Sequence, residues 1–97
     1  MDNESKELYL EEMGFQLKEW NNRVEELKEE VELSENIDKV EVRKTIGKIQ
    51  DNINQAKRGL QVIDFAGEGL WQELTNDIDQ IAENIDKDIQ TISAKFE

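Results

Sequence analysis

From Leu10 to Val31 the apolar residues fall at Leu10, Met13, Leu17, Trp20, Val24, Leu27 and Val31. The spacing alternates between three and four residues without a break. The residues between are almost wholly Glu, Lys, Asn, Gln and Arg. An apolar stripe of that period makes a helix that must lie against other helices. The rhythm recurs twice. Val42, Ile46, Ile49, Ile53, Ala56, Leu60 and Ile63 form a second seam. Trp71, Leu74, Ile78, Ile81 and Ile85 form a third, which passes by an extra step of four to Ile89, then Ile92 and Phe96. That stutter locally straightens a supercoil. The chain contains no proline, as suits long uninterrupted helices.

Two junctions divide the seams. Asp38-Lys39-Val40-Glu41 has the spacing of a capping box, with Asp38 as N-cap and Glu41 reaching back, and Ile37 and Val42 stand at the positions of a hydrophobic staple. On a continuous helix Leu33, Ile37 and Val40 would lie roughly opposite Val31; a turn near Ser34-Glu35-Asn36 tucks them over the end of a bundle. Further on, Gly67-Glu68-Gly69 is the clearest punctuation. Gly67 suits the left-handed position that ends a helix, and Gly69 suits an N-cap with Gln72 three residues on. Within the helices, Gly14, Gly47 and Gly59 lie off the seams and weaken them or admit a close neighbour.

The sequence therefore predicts an all-α fold: an antiparallel, up-down-up three-helix bundle of coiled-coil type, with helices over about 4–33, 39–66 and 70–96. Residues 1–97 form one domain. A monomer is expected. The competing arrangement, one helix unbroken from 4 to 66 plus a shorter third helix, hides its seam only in a homodimer. Charge favours the bundle. Residues 34 to 66 hold Lys39, Arg43, Lys44, Lys48, Lys57 and Arg58 between two strongly acidic flanks, so the middle helix can offer cations to both neighbours.

Composition narrows the function. With 24 acidic and 12 basic residues the net charge is −12, which argues against phosphate-directed nucleic-acid binding and against an anionic membrane surface, and permits a basic partner. There is no Cys and no His. Thiol chemistry is thereby excluded, and the usual neutral-pH general base and commonest transition-metal ligand are missing. No apolar run reaches membrane-span length. The acidic start, Met1-Asp2-Asn3-Glu4-Ser5, lacks the apolar stretch of a secretory signal. A cytoplasmic location is the default expectation, with a mature, already cleaved secreted form as the alternative.

No catalytic, cofactor-binding or metal-ligating residue is expected. Asp77 with Asp79, Asp86 with Asp88, and Glu25, Glu26, Glu29 and Glu30 lie on helix faces without the turning, glycine-containing loop a calcium site needs. They read as solvated faces. Ser5, Ser34 and Ser93 have no base partner. A narrow bundle offers no pocket to separate two carboxylate pKa values, so no enzyme is expected. Trp20 and Trp71 occupy seam positions and belong in the core. Leu8 and Phe15 do not. They are seven residues apart, share one face, and lie roughly opposite Met13 and Leu17. Either the third helix closes over them, which is the expected outcome, or they form an exposed partner-binding patch. Val62 and Phe65 widen the apolar face near the end of the second helix.

Two stretches carry a resemblance. Gln16-Leu17-Lys18-Glu19-Trp20-Asn21-Asn22-Arg23-Val24-Glu25-Glu26-Leu27 resembles the opening helix of a group of small acidic bacterial coiled-coil proteins, of the form L-x-x-W-x-x-x-[IV]-x-x-L. Gly67-Glu68-Gly69-Leu70-Trp71-Gln72-Glu73-Leu74 resembles the Gly-Glu-x-x-Trp-x-x-Leu corner that opens their last helix. The group is associated with stress responses of unknown mechanism. A weaker likeness, through Trp in the first helix, is to spectrin-type triple-helical repeats, and implies the same architecture. From residues and resemblance together, the expected function is a non-enzymatic helical interaction or stress-protective protein acting through its helix surfaces, without cofactor. Its expected partner is another protein, one that a basic surface would suit. The alternative is an acidic decoy that occupies a basic protein or nucleic-acid-binding site.

Overall fold

The computed structural model describes residues 2–35, 37–66 and 70–96. Three helices follow one another: α1 (Asp2–Leu33), α2 (Lys39–Phe65) and α3 (Trp71–Lys95). They form an antiparallel up-down-up bundle 52 Å long and 17 Å across. The chain turns between Leu33 and Lys39, so the unbroken helix from 4 to 66 does not form. α2 packs along both neighbours, whereas α1 and α3 touch in fewer places.

The three heptads become the core. Leu17, Val24, Leu27 and Val31 of α1 are buried, as are Val42, Ile46, Ile49, Ile53, Ala56 and Ile63 of α2. From α3 come Trp71, Ile78, Ile85, Ile89 and Ile92. Ile85, Ile89 and Ile92 are all buried, so the third seam stays inside across its stutter. Among the described residues no buried side chain is polar or charged. The core has two parts. A long cluster runs from Leu17 to Ile92, and a smaller one gathers Ile63, Trp71 and Ile78 with Tyr9, Leu10 and Met13 against it. Leu60 packs against both.

The first junction is set by Asp38. Its backbone is extended and its carboxylate accepts from the Glu41 amide at 3.2 Å, satisfying one of the unpaired N–H groups of the first turn. The box is half made, because the Glu41 carboxylate turns to Lys95 of α3 at 3.6 Å. Ile37 packs against the cluster that contains Val42. Leu33 and Val40 are not tucked over the bundle end: they stay 83% and 64% exposed. The turn brings in Ile37 alone, because the short link cannot fold residues from both helix ends onto one core layer. Replacing Asp38 by Ala is expected to lower stability by about 1 kcal/mol. Glu41→Ala, which removes only an exposed ion pair, should cost less than about 0.5 kcal/mol. Thermal melts of the two variants measure the difference.

At the second junction Ala66 ends α2 in an extended conformation (φ −73°, ψ 143°). Leu70 precedes α3 with helical φ and ψ and no side-chain cap. The roles expected of Gly67 and Gly69 lie outside the described residues. The charge pairing expected of α2 is realised in part. Arg43 pairs with Glu32 of α1, and Lys48 stands 4.0 Å from Asp88 of α3. Lys39 donates instead to the Glu32 carbonyl oxygen at 3.3 Å. Among the described residues Lys44, Lys57 and Arg58 make no ion pair; they are exposed, where water competes well for a cation.

Candidate functional site

The expected closure of α3 over Leu8 and Phe15 does not occur. Leu8 is 56% exposed and Phe15 65%. The reason is geometric. Both residues lie on the side of α1 that faces away from its seam, and α3 meets α1 only along the inner edge. Two polar clasps define that edge. The Tyr9 hydroxyl donates to Asp79 Oδ1 at 2.9 Å, and Arg23 Nη2 donates to Ser93 Oγ at 3.0 Å. Each joins residues 70 apart in sequence, so the parallel helices α1 and α3 keep one register across two heptads. Burial, then the hydrogen bond to Asp79 and its negative charge, hold the Tyr9 hydroxyl well above its ordinary pKa. It stays neutral and remains a donor through the physiological range. Its contribution to stability is complete below the ordinary tyrosine pKa and is lost only in strong alkali.

A larger group of exposed apolar side chains sits at the α2–α3 corner. Phe65 is 87% exposed, Leu70 61% and Val62 55%. With Ala66, Leu74 and Glu73 they line an open depression of about 500 Å³. A second depression of about 240 Å³ shares Val62 and Leu74 and extends along the α2–α3 interface past Gly59, Asp77 and Ile81. The two make one continuous groove. From Gln55 to Phe65 it follows eleven residues of α2, a rise of about 15 Å.

The groove is built on rigid parts. Its floor includes Ile78, which belongs to the small core cluster with Ile63 and Trp71. A Cβ on Gly59 would stand 3.0 Å from Ile78 Cγ1 and Cδ1, so the absent side chain is what lets Ile78 press against α2. Behind the corner, Lys6 Nζ donates to the carbonyl oxygens of Asp64 and Ala66, each at 3.0 Å. These are among the last carbonyls of α2, which has no basic residue in its own last turn. Lys6 therefore supplies from α1 the cation and donors that such an end favours. Tyr9 adds a ring contact to Trp71, with centroids 6.4 Å apart and planes tilted by 47°.

The α3 wall carries Glu73 and Asp77. The described length of α3 holds six carboxylates against two lysines. The α2 wall offers Gln55, Gly59, Val62 and Phe65. The groove thus has one acidic side and one largely apolar side, the latter with the exposed Arg58 one turn before Val62 on α2. Val62 and Phe65, expected to widen the apolar face of the second helix, instead stand in solvent, because in the heptad of α2 they fall on outward positions, where a large apolar residue has no seam to join. Among the described residues no three potential metal-ligating side chains converge, and no helix is long and apolar enough to cross a membrane. Compared with family models, curated proteins and solved structures, the chain finds no match.

Proposed function

We propose that the protein is a non-enzymatic protein-binding module that works through its helix surfaces. One observation carries the reading. The three seams already satisfy one another, yet large apolar side chains remain in solvent in local groups, at Val62, Phe65 and Leu70 and on the outer face of α1 at Leu8 and Phe15. Scattered exposed apolar residues need no explanation, but a contiguous group on a strongly charged surface marks an interaction site. The net charge of −12 favours a basic partner and speeds its approach. The stress-protective role implied by the resemblance fits such a module, which would hold a partner rather than transform it.

The test is affinity capture followed by identification of what is retained, at low and at high salt. A partner seated on apolar side chains is retained when salt is raised, and is lost from variants in which the exposed groups are replaced by Ser. Capture that collapses above about 0.3 M salt, where exposed charges are screened beyond roughly 6 Å, and that ignores those variants, identifies an acidic decoy instead. Reproducible turnover of a substrate by the purified protein would overturn the reading.

A further inference from the structure

The α2–α3 groove, taken with its charge, defines the kind of partner it fits. This inference rests on the protein-binding reading and narrows it to one surface. We infer that the groove receives a basic amphipathic helix of another protein, its apolar face on Val62, Phe65, Leu70 and Leu74 and its lysine or arginine flank on Glu73 and Asp77.

Shape comes first. A groove about 15 Å long between two helices spans nearly three turns of a third helix. That matches apolar anchors spaced three, four and seven residues apart, the pattern by which helices enter grooves. Ile78 belongs to the core, Lys6 is bonded to the end of α2 and Tyr9 to Asp79 of α3, so both helix walls are tied to α1. Little ordering is needed on this side of the complex, which favours affinity.

Charge selects the occupant. Glu73 and Asp77 are exposed on α3, one helical turn apart on the same rim. An incoming helix that brings lysines to the α3 side replaces repulsion by attraction there, while the α2 side, with Val62 and Phe65 beside the exposed cation Arg58 one turn before Val62, accepts apolar contact and turns the helix's own cations toward α3. A second copy of this chain fits poorly. Two molecules of charge −12 repel, and placing one groove on another sets acidic rims together. A neutral apolar helix would leave both rim carboxylates partly desolvated without a partner.

The probe is a synthetic helix with leucines spaced three and four apart and lysines along one flank, fluorescently labelled, titrated with the full-length protein. Two controls carry the same composition in scrambled order and glutamates in place of the lysines. Binding is expected for the ordered basic helix, with at least about tenfold weaker binding for each control. The paired substitution Val62→Ser and Phe65→Ser should weaken binding about tenfold or more, as should Glu73→Lys with Asp77→Lys. All four residues are exposed, and circular dichroism checks that the variants stay helical. Leu33→Ser with Val40→Ser, exposed at the opposite end of the bundle, should leave binding unchanged, and Leu8→Ser with Phe15→Ser tests the other exposed group. Equal binding of the scrambled helix, or binding that survives the Val62 and Phe65 changes, overturns the groove. Loss of binding in the Leu8 and Phe15 variant alone also overturns it, while protein binding survives on the outer face of α1. If no probe binds, the groove proposal falls and the capture experiment decides the broader reading. Sedimentation closes the remaining route: a wild-type dimer that dissociates on Val62→Ser and Phe65→Ser would assign the groove to a second copy.

Discussion

Ile49→Ala lowers the stability of the bundle by about 3 kcal/mol, enough to bring its melting temperature down by roughly 12–24 °C. Ile49 is completely buried in the middle of α2, the helix that packs along both others. It belongs to the long core cluster, in which Val24 and Leu27 of α1 and Ile85 of α3 are also fully buried. Truncation removes the transfer free energy of the lost methyl and methylene groups. It also leaves a void between side chains that cannot all collapse into it, since they hang from long, mutually fixed helices. A bundle of this size has about 5–10 kcal/mol in total, so one residue accounts for a large part of the margin. Ile49→Val, which removes a single methyl, should cost about 1 kcal/mol. Val40→Ala, at an exposed site on the same helix, should change stability by less than about 0.5 kcal/mol. Denaturant titrations give all three values. A loss below 1 kcal/mol for Ile49→Ala would mean that the core is fluid and the seams are not in fixed register.

Ile49 is buried because of its heptad position, whereas the polar clasps between helices follow from no local pattern. Ile49 is legible because burial in a bundle follows from period alone. Asp38 is legible because its hydrogen bond reaches only three residues along the chain. Lys6 and Tyr9 are not legible. Their partners lie 58 to 70 residues away, and nothing local marks a lysine near one terminus as the cap of another helix. Leu8 and Phe15 fall between. Their outward position is plain from the heptad; whether another helix covers it depends on how closely α1 and α3 approach, and that distance is a property of packing. The same holds for the groove. The outward Val62 and Phe65 are visible in the sequence, but their meeting with Leu70 and Leu74 across the corner is a tertiary fact. Leu33 and Val40 teach the converse, since a turn was expected to cover them and covers only Ile37.

Glycine supplies the second large effect, with the opposite sign. Gly14→Ala and Gly47→Ala together should raise stability by about 2 kcal/mol and the melting temperature by roughly 8–16 °C. Both glycines sit well inside helices, at residue 14 of α1 and residue 47 of α2. An added Cβ meets nothing within 4 Å at either position. The gain comes from the unfolded chain, which loses backbone freedom, and from better helix propensity, with no new strain in the fold. The sites lie on different helices and share no side-chain contact through the missing atoms, so the effects should add. Gly59 tests the argument. Propensity there favours Ala by the same amount, about 1 kcal/mol. The new methyl, however, would stand 3.0 Å from both Cγ1 and Cδ1 of Ile78, which is 2% exposed. Turning the terminal methyl relieves only one of those contacts. Moving the whole side chain presses it into Ile63 and Trp71, its partners in the small core cluster. Overpacking of that kind costs about 1–3 kcal/mol, so Gly59→Ala should be net destabilising by about 1 kcal/mol. Melting curves of the three single variants and the Gly14, Gly47 pair decide the matter: equal stabilisation at all three positions would show that Gly59 imposes no close approach and that the floor of the groove can yield.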